Sequence, residues 1–332
     1  MPPGSPLGRV VEIAEEGRHL LKERGFLVVE AGGEELGRVP LDDIAALVAT
    51  ARGTSLTTSL IAALAERGTP VVLCGANFAP VALVFPLAGH HAQQRRMEAQ
   101  LAATRPLAKR LWAQVVAAKL RAQAAALASA GLPSAALARL ARSVRSGDPE
   151  NAEAQGARRY WPLMMGEGFR RDPSLPGANA LLNYGYAVLR AGVARAICAA
   201  GLHPSLGIFH RHPHNPLPLA DDLMEPFRPL VDLEVRALVA EGASEVDRVA
   251  KRRLAALLLA DVPTAFGTSP FATALMRCAA SLAESYLSGV PALEFPMLSA
   301  EGGNVIAEPD FPVGLSGHVD VRDVRSSGDD EV

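Results

Sequence analysis

The chain has 332 residues, of which 49% are hydrophobic and 20% are charged, and its formal net charge at pH 7 is −2. This composition is too apolar for a mostly disordered chain, and the length favours two compact cores over one. Three cysteines, Cys74, Cys198 and Cys278, lie far apart without a CxxC pair, which argues against a disulfide framework and a thiolate zinc cage. The N-terminal segment shows no basic stretch followed by an apolar run, so we expect no secretory signal and a reducing, cytoplasmic location.

Residues 1–90 predict a β-rich domain. Five short runs rich in Val, Leu and Ile are bounded by glycine and proline, as is typical of strands: GRVVEI, FLVVEAGG, IAALVAT, PVVLCG and PVALVFP. One helix is predicted to open at Ser55 as its N-cap and to end at Gly68.

Residues 91–290 predict an all-helical domain, so the expected fold class is α+β. In the stretch around LWAQVVAAKLRAQA, apolar residues recur at spacings of three and four, which predicts one buried helix face: Leu107, Leu111, Val115, Ala118 and Ala122. Residues 291–332 have no periodicity and predict an irregular acidic tail. From residue 301 onward this tail holds eight acids and two arginines, a net charge of −6.

The segment ANALLNYGYAVLRAGVARAICAAG is long enough to cross a bilayer. It contains Arg190 and Arg195, however, and each would cost a few kcal/mol at the membrane centre. A buried core helix is therefore the favoured interpretation.

The net charge hides a strong asymmetry along the chain. Residues 92–145 hold ten lysines and arginines and one acid, Glu98, which gives this basic segment a net charge of +9. Such a segment is typical of proteins that bind polyanions, because cationic side chains displace counterions from phosphates. A solvated helix face that only maintains solubility is the alternative. Our candidates for phosphate contacts are Lys109, Arg110, Lys119 and Arg121.

The run GIFHRHPHNPLPLADDLMEPFRP places three histidines at alternating positions, His210, His212 and His214. On a strand they would share a face, as in zinc-dependent amidohydrolases, but those sites need ligands from later parallel strands, which this sequence does not predict. Pro213, Pro216 and Pro218 also interrupt the segment that carries the histidines. One histidine combined with carboxylates is a ligand set that suits magnesium or manganese better.

Asp222 and Glu225 follow these histidines at a spacing of three, so both carboxylates should face one side of a helical turn. Two neighbouring negative charges need a cation between them. That cation is either a metal ion or Arg228 in a structural salt bridge, and the residues alone leave both interpretations open.

Three runs resemble the Cas1 family of CRISPR-associated spacer integrases, in its type II form: SGDPENAEAQGARRYWPLMMGEGF, NYGYAVLRAGVARA and ADDLMEPFRPLVD. The resemblance implies an N-terminal β-rich dimerisation domain, a helical catalytic and DNA-binding domain, and a homodimer. It also implies that Glu153, His210 and Glu225 bind Mg²⁺ or Mn²⁺, with Asp222 as a further catalytic acid. His212 and His214 match no required position and are expected in a solvated loop.

This resemblance implies a role in CRISPR adaptation, an antiviral defence. The 3′ hydroxyl of a captured double-stranded DNA fragment would attack a phosphodiester of the repeat array, and the partners would be a Cas2 dimer and the Cas9 effector. Two alternatives remain open, a nuclease that hydrolyses branched DNA and a non-catalytic DNA-binding scaffold.

Three other polar residues of this region have an alternative interpretation. Tyr160 could act as a recombinase nucleophile, although packing in an aromatic pair with Trp161 is favoured. Asn179 and Asn183, at spacing four, could position ligands or phosphates, or could serve as ordinary helix polarity.

Overall fold

The computed structural model describes residues 9–75, 80–84, 91–264 and 267–296. They form two compact units, one from the described residues up to 84 and the other from those after residue 90. The first unit is dominated by strands and the second by helices, so the predicted α+β class is confirmed.

The N-terminal unit contains two four-stranded sheets within the described residues. In the first, three parallel strands are followed by an antiparallel edge strand, in the order β1 (Arg9–Ile13), β5 (Ile44–Ala49), β7 (Val71–Cys74) and β8 (Pro80–Val84). In the second, the order is β4 (Glu34–Pro40), β3 (Phe26–Ala31), β2 (His19–Glu23) and β6 (Ser55–Leu56). The five predicted strands correspond to β1, β3, β5, β7 and β8.

The sequence prediction missed β2 and β4, which flank β3 in an antiparallel meander. Both contain several charged residues, which hide the strand pattern. They are held by pairing with the apolar β3 through two tight turns, in which Arg24 and Gly25, and then Gly32 and Gly33, all have positive φ. Successive positive φ values are the geometry of hairpin turns that match the twist of the strands.

Helix α1 (Thr58–Glu66) begins later than predicted, so Ser55 as its N-cap was wrong. Ser55 belongs to β6 and pairs with His19, whereas the hydroxyl of Thr57 accepts the N–H of Leu60 as the cap. The predicted end is confirmed, since Gly68 adopts φ +67° just after the helix.

The C-terminal unit consists mainly of helices. These are α2 (Gln93–Leu101), α3 (Arg105–Ser129), α4 (Ala135–Ser143), α5 (Ala152–Met165), α6 (Ala178–Ala199), α7 (Pro218–Met224), α8 (Arg228–Ala240), α9 (Arg248–Ala256) and α10 (Phe271–Ser288). The sequence predicted an all-helical domain, and this was wrong in one place. The strands β9 (Asp261–Thr264) and β10 (Gly267–Pro270) form an antiparallel ribbon before α10.

Helices α3 and α6 form the centre of this unit. All five apolar positions predicted to face the core in α3 are buried. Most of α6 is also buried, and its Arg190 forms an ion pair with Asp221. Across the described ranges, no helix combines the length and the hydropathy that crossing a membrane requires.

The start of the predicted tail packs on the helical unit. The side-chain amide of Gln114 donates to the carbonyl of Pro291 and accepts the N–H of Leu293. Residues 297–332, which hold most of the predicted acidic tail, lie outside the described residues.

Candidate metal centre

Four segments of the helical unit meet around one cluster of charged side chains: the middle of α3, the start of α5, the loop after Gly207, and the junction of α7 with α8. Sequence spacing could not show this meeting, because Glu153 and Glu225 are far apart in the chain and only tertiary packing brings them together. Lys119 is the residue that joins them.

Glu153 lies in the first turn of α5, which is held by two caps. Asn151, with φ +53°, accepts the N–H of Ala154, and the carboxylate of Asp148 accepts the N–H groups of Ala152 and Glu153 at 2.7 and 3.0 Å. One turn later, Gly156 packs directly on Leu120, where a Cβ atom would collide. The glycine therefore allows α5 to approach α3 closely enough for Glu153 to reach Lys119.

The ammonium of Lys119 lies between the two carboxylates. Its Nζ is 2.8 Å from Oε1 of Glu153 and 2.6 Å from Oε2 of Glu225, and only 11% of the side chain is exposed. Burial opposes the charged form of the lysine, but the two carboxylates outweigh it and raise the Lys119 pKa. The structure thus places Lys119 in this cluster and not on the exposed basic face where we predicted it.

Glu225 is buried and contacts a second cation, since its Oε1 lies 3.3 Å from Arg228. Burial would raise the pKa of Glu225, but Arg228 and Lys119 outweigh burial and hold it below its usual range. The salt bridge to Arg228 that the sequence left open is therefore present. Glu225 is thus paired with two cations, Arg228 through Oε1 and Lys119 through Oε2.

Asp222 is completely buried and orients His210. Its Oδ1 lies 2.5 Å from Nδ1 of His210, and its Oδ2 accepts the N–H of Phe209 at 2.8 Å. The hydrogen bond to Asp222 raises the His210 pKa, and the carboxylates of Glu153 and Glu225 are close enough to raise it further. With Nδ1 committed to Asp222, Nε2 is the ring nitrogen left for a ligand.

An aromatic stack fixes the loop that carries His210. The ring of Phe209 lies parallel to the buried Trp112 of α3, with centroids 4.5 Å apart, and the His210 ring meets Trp112 edge-on at 5.3 Å. Further along, Arg190 donates to both carboxylate oxygens of Asp221 and to Asn215. The loop is thereby attached to α3, α6 and α7.

The other histidines of this loop are not part of the cluster. His212 and His214 are exposed, with ring centroids 5.6 Å apart, as the prediction of a solvated loop stated. The three alternating histidines do not share a strand face, since the loop contains no strand.

Tyr160 is not placed to act as a nucleophile. It is fully buried and donates a 2.9 Å hydrogen bond to Asp232, which also accepts a hydrogen bond from Tyr186. Burial raises the pKa of Tyr160 well above its usual range, so the phenolate is not accessible. The favoured packing role is confirmed.

Asn179 and Asn183 attach a loop to α6. Both side-chain oxygens accept hydrogen bonds from Arg171, and both amide groups donate to carbonyls of residues 170–173. Their contacts are structural, and they do not point to a ligand.

The basic segment presents most of its charge to solvent. Eight of its ten cationic residues are exposed on α2, α3 and α4 or beside them: Arg95, Arg105, Lys109, Arg110, Arg121, Arg139, Arg142 and Arg145. Arg96 is less exposed and pairs with Glu284, whereas the exposed Arg145 pairs with Glu150. Three of the four predicted phosphate contacts thus lie on an exposed surface.

The cluster fits a divalent cation in the chemistry of its donors. Oxygens of Glu153 and Glu225 both lie within 2.8 Å of one nitrogen atom, so a single cation reaches both, and the imidazole of His210 is close enough for the two carboxylates to raise its pKa. Two carboxylates and one imidazole suit Mg²⁺ or Mn²⁺. Among the residues that the structure describes, no three metal-ligating side chains already converge on one point, because His210 is directed to Asp222 and Lys119 separates the glutamates.

Comparison with known proteins identifies the family. Residues 11–262 match the family model described as "CRISPR associated protein Cas1". The chain belongs to the Cas1 family. A CRISPR-associated endonuclease Cas1 of Neisseria meningitidis serogroup C is 42% identical over 232 residues, which cover 69% of this chain and 76% of the relative. The resemblance inferred from the sequence is therefore confirmed.

Solved structures of other proteins share the Cas1 fold. A casposase bound to its integration product superposes with a TM-score of 0.74 at 21% identity, covering 89% of this chain and 95% of that one. A chain of a Cas6-RT-Cas1–Cas2 complex superposes with a TM-score of 0.70 at 18% identity, covering 87% of this chain and 36% of that one. At such identities the likeness shows the fold.

Proposed function

We propose that this Cas1 protein is a metal-dependent DNA integrase that joins the 3′ hydroxyl of a captured DNA fragment to a phosphodiester of the CRISPR repeat array. The observation that carries the proposal is that the carboxylates of Glu153 and Glu225 meet around one cationic group, the ammonium of Lys119. His210 is close enough for both carboxylates to raise its pKa. The casposase likeness supports joining as the reaction, since that protein was captured with an integration product.

Each residue of the centre has a separate role in this proposal. Glu153 and Glu225 would supply carboxylate oxygens and His210 its Nε2 to Mg²⁺ or Mn²⁺. Asp222 acts through His210, because its hydrogen bond to Nδ1 fixes the orientation of the ring. When bound, the metal would stabilise negative charge on the phosphoryl oxygens and lower the pKa of the attacking hydroxyl.

The exposed basic segment would hold duplex DNA through phosphates, which suits the capture of fragments of varied sequence. We further propose a homodimer built on the N-terminal unit, a bridging Cas2 dimer and contacts with Cas9. The structural likeness to a Cas1–Cas2 complex supports the Cas2 partner.

Three surface cations provide a test of DNA binding. Reversing the charge at Lys109, Arg110 and Arg121 together is expected to weaken duplex binding at least about tenfold and to reduce the salt slope by about one for each phosphate that is no longer neutralised. The measurement is fluorescence anisotropy with labelled duplex over a salt titration. As a matched control, the same reversal at three exposed cations of the N-terminal unit, Lys22, Arg24 and Arg52, should leave the slope unchanged. Equal slopes for both triple variants would contradict this DNA surface.

The decisive experiment for the reaction follows the fate of a labelled strand. Purified protein is incubated with end-labelled duplex, a plasmid carrying a repeat array, Cas2 and Mn²⁺, and wild type is compared with His210→Ala. Label joined to the plasmid by wild type alone supports integration at this centre. Shorter strands without joined product would indicate the hydrolytic nuclease. Joining by His210→Ala at the wild-type rate would show that the centre is not the active site.

A further inference from the structure

Lys119 fills the position between the two glutamates. Its ammonium contacts Oε1 of Glu153 and Oε2 of Glu225, and its side chain is only 11% exposed. The proposed reaction assigns no role to a lysine between the two glutamates. The position of Lys119 therefore needs a separate explanation.

The charges around the two glutamates are already compensated. Glu153 and Glu225 face Lys119 and Arg228, and the buried Asp222 faces His210. A divalent cation added while Lys119 and Arg228 keep their places would leave an excess of positive charge in a buried site, where Coulomb interactions are strong. The same two glutamate oxygens would also have to contact both the metal and the ammonium.

We propose that Lys119 is an internal counter-ion that holds Glu153 and Glu225 together in the metal-free protein and gives up both glutamates when a divalent cation binds. This inference rests on the proposed function, because it takes the two glutamates as metal ligands. Two observations favour release over a permanent salt bridge. A divalent cation beside both Lys119 and Arg228 would leave the buried site with excess positive charge, and the two glutamate oxygens that contact the ammonium are placed for one cation.

A consequence is that Lys119 weakens metal binding. Because the metal must displace the ammonium of Lys119, removing that charge strengthens the binding of the metal. A lysine that only supports the two carboxylates has the opposite effect, because its removal lets them repel each other and separate. The sign of the change in affinity therefore distinguishes the two roles.

Isothermal titration calorimetry of Mn²⁺ without DNA measures this sign. Lys119→Met is expected to bind Mn²⁺ at least about tenfold more tightly than wild type, as removal of a nearby positive charge in a buried site predicts. Lys22→Met, the same substitution at an exposed lysine of the N-terminal unit, should bind Mn²⁺ as wild type does. Weaker binding by a folded Lys119→Met would overturn the inference.

A second measurement uses the wild-type chain, in case Lys119→Met does not fold. The sequence contains four lysines, Lys22, Lys109, Lys119 and Lys251, so each can be followed separately by mass spectrometry after brief acetylation. Lys119 is expected to be protected without metal and to become several-fold more reactive in saturating Mn²⁺, while exposed Lys22 and Lys109 stay constant. Unchanged protection of Lys119 in Mn²⁺ would overturn the inference.

The joining assay separates this inference from the proposed function. Metal-dependent joining, combined with weaker Mn²⁺ binding by Lys119→Met, would overturn the counter-ion and leave the integrase intact. If neither wild type nor Lys119→Met binds Mn²⁺, both the counter-ion and the metal centre are overturned.

Discussion

Glu225→Gln is expected to lower the rate of strand joining about a thousandfold or more, because the substitution removes a metal-binding carboxylate at the centre. Glutamine has nearly the same shape as glutamate, so the effect isolates the charge. The neutral amide cannot compensate Lys119 and Arg228, both of which contact Glu225. We therefore also expect the free energy of unfolding to fall by about 3–5 kcal/mol, the usual cost of leaving a buried ion pair with one partner.

Rates must accordingly be measured well below the melting temperature of this variant, with circular dichroism confirming that it is folded. The matched control is Glu241→Gln, which makes the same change at an exposed carboxylate paired with Arg253 and should join DNA as wild type does. Joining by folded Glu225→Gln within about tenfold of wild type would rule out Glu225 as a ligand.

Asp232→Asn is expected to change how stability depends on pH. Burial raises the pKa of Asp232 to about 6, although hydrogen bonds from Tyr186 and Tyr160 oppose the rise. An unfolded aspartate has a pKa of about 3.9, so the folded chain binds this proton more tightly. The contribution of the Asp232 proton to the free energy of unfolding is therefore fully present below about pH 4. It is lost as the pH rises through about 6, and the loss amounts to up to about 3 kcal/mol.

Urea unfolding followed by circular dichroism between pH 4 and pH 7 tests this expectation. The difference in free energy of unfolding between wild type and Asp232→Asn should shift by about 2–3 kcal/mol over that range, in favour of the variant as the pH rises. Asp42→Asn, at a carboxylate whose side chain is 80% exposed, is the control and should follow the wild-type curve. A constant difference for Asp232→Asn would show that Asp232 does not titrate in this range.

Local pattern predicted most of the fold. Strands that consist of apolar residues bounded by glycine or proline were found, and so was the buried face of α3. The strands β2 and β4 were missed because their charged residues obscure the alternation. The pair Gly32 and Gly33 was the available signal, since two adjacent glycines between short runs are typical of a hairpin turn.

The centre was only partly predictable. Asp222 and Glu225 are three residues apart and attracted attention as a pair, but in the structure each carboxylate contacts a different partner, His210 for Asp222 and Lys119 for Glu225. Glu153 came from family resemblance alone, because nothing local distinguishes it from Glu150. Composition and periodicity describe one segment at a time, and contacts between distant segments follow from packing.

Lys119 shows the limit of reading charge from sequence. It lies in a segment of net charge +9, and that context indicated an exposed phosphate contact. Helix periodicity places it between Val115, Val116, Leu120 and Gln123, all of which are buried. A lysine flanked by so many core positions must be partly buried, and a buried ammonium needs carboxylate partners.

The stacking of Trp112 on the loop that carries His210 also gives the protein a natural optical reporter. Its indole ring contacts Phe209 and lies edge-on to His210, so any rearrangement of that imidazole alters the surroundings of the chromophore. Trp161 is the other tryptophan of the chain and packs instead on Tyr160 and Phe169. Replacing Trp161 by phenylalanine would leave a single emitter beside the centre, through which its occupancy could be followed in real time without labelling either protein or DNA.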